Sequence, residues 1–280
     1  TETSQHGQSV GDGSVQSDLD AQVRGYQLVL EREPNNETAL LGLLQAQLQL
    51  NDIEGAVQPL TTLAELNPDD KRYSVLLGQA KQQLGDQEGA AQVYRNILST
   101  QPGNMDALRG LVSLLINETR PEAAIGLLQD TLKTADDVNQ LQANSIDATA
   151  VQLLLGEVYV ELGRDTEALA VYDESIKNSA TDFRPLLSKA LLLQAQGQTE
   201  EAEELFTNAA ALAPAQYKDE INRLASTGTD TDAEGSSLPD DELPDNDSGI
   251  DAEASDEALD EASDGIDGPE EAQTPDESEN

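Results

Sequence analysis

The chain has 280 residues, 55 acidic and 15 basic, for a formal charge of −40, with no Cys, no Trp, a single His and 3% aromatics. Those counts exclude disulfides, thiolate metal sites and Cys-based catalysis, and they leave His6 without the company a His relay needs. So negative a chain is repelled by nucleic-acid phosphates and anionic lipid, and it points to a binding or scaffolding protein, not an enzyme.

Residues 1–17 hold Glu2 and Asp12 and no base. They are polar, Gly/Ser-rich and aperiodic, which predicts a flexible leader. The chain begins at Thr1, so either a signal or anchor preceded it or it is an expressed fragment. Membrane association through such an anchor is the favoured expectation, with a soluble cytoplasmic or an exported protein as the alternatives. No apolar run reaches the length of about 18 residues that a spanning helix needs.

Residues 18–226 carry 32 acids and all 15 bases. Pro34, Pro68 and Pro102 fall 34 residues apart, and Pro214 returns after three such periods plus ten. Ala56, Ala90 and Ala124 keep the same period, Ala168 follows after 44, and Ala202 after 34 again. Two residue types thus report one period and one insertion of ten residues, placed at 139–148. Four positions beyond each alanine stands Leu60, Tyr94, Leu128, Tyr172 or Phe206, with Tyr26 in phase upstream. A small and a large residue at this spacing share a helical face, so the alanine admits a neighbouring helix and the large side chain fills the space beside it. Each unit reads as two helices. LLGQAKQQL or LLLGEVYVEL forms the first. Gly85–Asp86 or Gly163–Arg164 turns the chain, glycine supplying the left-handed residue. EGAAQVYRNIL or TEALAVYDESI forms the second, which ends near Asn67–Pro68 or Gln101–Pro102. Pro59 falls inside a second helix, where it is expected to remove one backbone bond and bend it.

The period, the Leu77–Gly78 and Leu155–Gly156 pairs, Tyr159, both columns and the closing prolines resemble the tetratricopeptide repeat. The resemblance covers residues 18–226. It implies an all-α, right-handed solenoid: a half repeat at 18–36, repeats at 37–70, 71–104, 105–138, 149–182 and 183–216, and a capping helix at 217–226. Leu40, Ser74, Leu108, Gln152 and Leu186 stand where the family often has an early aromatic. In the family the first helices line a concave face that binds peptides or helices of other proteins. Counting repeat phase, the partner-binding candidates are Gln45, Arg72, Gln79, Gln82, Arg109, Glu157, Arg184 and Leu187. Amides there can bond an extended backbone, Leu187 can meet apolar side chains, and Arg72, Arg109 and Arg184 can take carboxylates. The variant that clamps chaperone tails needs Lys and Asn where this chain has Leu41 and Gln45, so that function is not expected. Residues 120–133, 151–164 and 179–198 are further similar to cyanobacterial and plastid members, which often carry a membrane anchor and assist assembly of membrane complexes.

Residues 227–280 hold 21 acids and no base, with Leu238, Leu243, Ile250, Leu259 and Ile266 as their large aliphatics. Too little apolar surface is present to offset ordering, so a disordered acidic tail is expected. It acts as a solubilising bristle or lies against the three arginines. Its Asp-rich strings do not keep the spacing of a calcium loop. No phosphate-binding glycine motif occurs. The expectation is a non-catalytic scaffold, adaptor or assembly factor. It has no cofactor, metal, small-molecule substrate or nucleic acid, and it holds another protein as a monomer. A self-associating structural module is the alternative.

Overall fold

A computed structural model describes residues 9–227, and every described element is helical. The helices are α1 (Ser9–Leu30), α2 (Glu37–Gln49), α3 (Ile53–Leu66), α4 (Lys71–Gln83), α5 (Gln87–Thr100) and α6 (Met105–Asn117), followed by α7 (Pro121–Leu141), α8 (Ala148–Glu161), α9 (Asp165–Asn178), α10 (Arg184–Ala195), α11 (Thr199–Leu212) and α12 (Ala215–Thr227). Among the described residues no helix is long and apolar enough to cross a membrane.

Local chemistry accounts for the boundaries. Asn36, Asp70, Asn104 and Asp147 precede α2, α4, α6 and α8, and each side chain accepts a backbone N–H of the first turn that would otherwise lack a partner. Inside each hairpin the chain passes through one left-handed residue: Asn51, Gly85, Thr119, Gly163 and Gly197, with φ of 55°, 79°, 58°, 66° and 76°. These five keep the period of the alanines. Asn51 and Thr119 take the glycine's place, which the sequence reading did not anticipate. Helix α3 runs unbroken through Pro59.

The stack divides into two compact units between Leu66 and Asn67, at the Asn–Pro break that ends α3. In the first, α2 packs on α1 and on α3. Tyr26 of α1 lies over Gly42 of α2, at a separation that leaves no room for a methyl group. In the second, each helix from α4 to α12 packs on the next. In addition, α4, α6, α8 and α10 touch one another in succession, and the helices between them make no comparable contact among the described residues. Helices that converge on one side and splay on the other curve the layer, so α4, α6, α8 and α10 form the inner side of this unit.

Both columns are interior. Ala56, Ala90, Ala124 and Ala168 are 0% exposed, and the large residues four positions on are buried with them. In the second unit Tyr94 wedges between two helices: Gly78 of α4 faces its Cε1 edge and Gly110 of α6 its Cε2 edge. Tyr172 lies in the same way against Gly156. Burial, and then the charge of Asp106, push the Tyr94 phenol up to about 12. Its hydroxyl donates to Gln82 Oε1 at 3.3 Å.

Helix α1 starts at Ser9, so residues 9–17, expected as part of a flexible leader, are helical. The rest of that leader, and the acidic residues 228–280 with their expected disorder, lie outside the described residues. The insertion extends α7 to Leu141 and then turns back. Asn139 donates to the Ile146 carbonyl and accepts from the Ile146 N–H, both at 2.9 Å, and Ile146 is buried.

Candidate functional site

Helices α6 and α8 present a cleft on the inner side of the second unit. Their sequences explain it. Helix α8 is apolar nearly all round, with Val151 to Gly156, Val158 and Tyr159 buried, so it sits inside the stack and still has apolar side chains left for a second face. Helix α6 buries Leu108, Leu111, Leu114 and Leu115 and turns Arg109, Ser113 and Ile116 toward α8. The opening measures about 190 Å³ and is lined by Arg109, Val112, Ser113, Ile116 and Asn117 from α6 and by Leu154, Glu157, Val158 and Glu161 from α8. Its floor is aliphatic. Its polar groups are one guanidinium, two carboxylates, a hydroxyl and an amide.

Of the residues named from the sequence, the structure brings Arg109 and Glu157 together in this cleft. The others stand apart from it. Gln45 is half-buried on α2, in the first unit. Arg72 is exposed and holds Asp70 in a fork, Nε to Oδ1 at 3.1 Å and Nη2 to Oδ2 at 2.8 Å. The Arg72 side-chain hydrogen bond in turn holds the Asp70 carboxyl below the usual range. Arg184 repeats the arrangement with Asp182, Nε to Oδ1 at 3.1 Å and Nη2 to Oδ2 at 2.7 Å, and adds Asp147 Oδ2 at 3.1 Å. Burial acts to raise the Asp182 carboxyl, but the hydrogen bonds and charge of Arg184 outweigh it and leave the group low. Hydrogen bonding to Asp182 raises Arg184 further above its ordinary value. Both arginines are therefore occupied by carboxylates of this chain, set two residues ahead of them.

Gln82 is taken up by Tyr94. The Gln79 Oε1 is buried and accepts no hydrogen bond among the described residues. Leu187, expected to meet a partner's side chains, packs in the core around Phe206, outside the cleft. Repeat phase counts turns along one helix and takes no account of how closely α10 is covered by its neighbours.

Val112, Ile116, Leu154, Val158, Asn117 and Glu161 were not singled out from the sequence. A signal for them exists: a second apolar line on α6 and α8, beyond the one their own hairpins need. Among the described residues no group of three or more His, Cys, Asp or Glu is placed to hold a metal ion.

The family model described as tetratricopeptide repeat matches residues 18–213. Among solved structures, a thermophilic tetratricopeptide protein of Thermus thermophilus is 18% identical, with 69% of this chain and 98% of that one covered and a TM-score of 0.42. PilF of Pseudomonas aeruginosa is 19% identical, with coverage of 71% and 90% and a TM-score of 0.42. YrrB, described as a tetratricopeptide protein with an unusual peptide-binding site, is 16% identical, with coverage of 73% and 97% and a TM-score of 0.39. No curated protein matches the chain.

Proposed function

The chain belongs to the tetratricopeptide-repeat family, and from that premise we propose that it is a non-catalytic scaffold holding a segment of another protein on the inner side of its second unit. The α6–α8 cleft carries this reading. An aliphatic floor with a few polar groups at its rim is what an extended or helical segment needs: apolar area for affinity and polar atoms for register. Such a surface exists because α4, α6, α8 and α10 converge while their second helices form the outer layer. Stacked repeats hold their shape through buried columns and leave the remaining inner positions free to specialise for a partner.

Within this proposal the protein acts as a monomeric adaptor or assembly factor. The finer form of this proposal is an assembly factor tethered to a membrane by an anchor outside these 280 residues. A photo-crosslinking residue at exposed Ser113 in the cleft, compared with one at exposed Glu204 on α11, tests the reading in full-length protein inside its own cells. A partner captured from position 113 and not from 204 is the expected result. No product from 113, or the same products from both, overturns it. Capture of a second copy of this chain, with a dimer by light scattering, replaces the adaptor with the self-associating module.

A further inference from the structure

We propose that the α6–α8 cleft selects a cationic amphipathic segment, one that seats aliphatic side chains on the floor and a lysine or arginine at the carboxylate end. This rests on the binding reading above and adds the chemistry of the partner. Size is the first argument. At about 190 Å³ the cleft falls short of the roughly 300–1,000 Å³ of small-molecule sites, and it suits individual side chains of a polypeptide. The floor of Val112, Ile116, Leu154 and Val158 requires those side chains to be apolar.

Charge sets the rest. Glu157 and Glu161, one turn apart on α8, face a single arginine, Arg109, across the cleft. Glu161 is exposed and forms no hydrogen bond or ion pair among the described residues. An acidic segment meets the opposite situation. Four cations on the flanking helices are already matched with carboxylates inside the chain: Arg72 with Asp70 at 2.8 Å, Lys81 with Asp86 at 2.7 Å, Arg184 with Asp182 at 2.7 Å and Lys189 with Asp173 at 2.5 Å. A carboxylate arriving there has to displace a partner tethered a few residues away in most of these pairs, and in every case it also meets the negative field of the whole chain.

The test uses the full chain and two designed helical peptides, one of leucine and lysine and its counterpart of leucine and glutamate. Affinity is read by fluorescence anisotropy and location by hydrogen exchange. The leucine–lysine peptide is expected to protect α6 and α8. Glu161→Lys is expected to weaken it about five-fold, while Glu204→Lys on the outer layer, an equal change of net charge, leaves it within about two-fold. Equal losses from both variants, or protection confined to other helices, mean that bulk charge alone attracts the peptide and overturn the proposal. Preferential protection of α6 and α8 by the leucine–glutamate peptide overturns the cation preference and leaves the binding face standing. Absence of protection on the inner helices by either peptide counts against the binding face itself.

Discussion

Replacing Gly110 with alanine is a one-carbon test of how the repeats are joined. A Cβ at Gly110 lies 2.4 Å from Tyr94 Cζ and 2.6 Å from Cε2. Ordinary carbon contacts begin near 3.4 Å, so the ring or the helix must yield by about 1 Å. The ring has nowhere to go. It is 1% exposed, and its other edge already sits 2.5 Å from where a Gly78 Cβ would be. Overpacking a tight core costs about 1–3 kcal/mol, and alanine returns up to about 1 kcal/mol through better helix propensity. The net expectation is a loss of about 1–2 kcal/mol. For a protein of this length that lowers Tm by roughly 2–8 °C in a far-ultraviolet circular dichroism melt. The control is a cycle with Tyr94→Leu, which clears the space beside position 110. Gly110→Ala is expected to be neutral or mildly stabilising in that background, with a coupling of about 1 kcal/mol or more. If Gly110→Ala raises Tm in the native background, or costs the same with and without Tyr94, the wedge is not what joins α6 to the preceding repeat.

Four further outcomes are expected. Ala168→Glu places an unpaired charge at a position 0% exposed and is expected to cost about 3–5 kcal/mol, seen as a large drop in the denaturant midpoint. Thr119→Gly relieves a β-branched residue held at φ 58° and is expected to stabilise by about 1 kcal/mol in the same titration, whereas a loss would show that Thr119 makes an essential contact. Asn139→Ala removes both bonds to the Ile146 backbone and is expected to cost about 1–3 kcal/mol, with faster hydrogen exchange at 142–147 before any change in α8. The Asp182 carboxyl is held below its ordinary value in the fold, so its contribution is full above the unfolded pKa of about 3.9 and is lost as pH falls through the lower folded value. Asp182→Asn is therefore expected to melt lower at neutral pH and to converge with the native chain in acid; a constant offset down to the lowest pH removes the carboxylate from that role.

How much of this could be read along the chain depends on the distance over which each feature is set. The period of Ala56, Ala90, Ala124, Ala168 and Ala202, with a large residue four positions beyond each, determined the helices, their pairing and the buried seam. Those follow from which residues share a turn and how much room they leave, and both are local properties. The turn glycines Gly85 and Gly163 were legible for the same reason. Asn51 and Thr119 were not, because there the backbone takes the left-handed conformation by demand of the hairpin, against the preference of the residue.

The tertiary structure alone decided what the inner surface is. Arg72, Arg109 and Arg184 all stand near the start of a first helix, the outer two in one repeat phase and Arg109 three positions later. The fold gives the first and last to Asp70 and Asp182 and brings Arg109 to the cleft. Leu187 and Leu154 are both buried leucines of first helices, yet one packs in the core around Phe206 and the other lies at the cleft. The place where the stack divides, and the return of the insertion through Asn139, were settled at the same level. A helical face is written in a dozen neighbouring residues, but the gap between two faces is the sum of side-chain volumes and helix approaches contributed by several helices at once, and no single segment contains that sum.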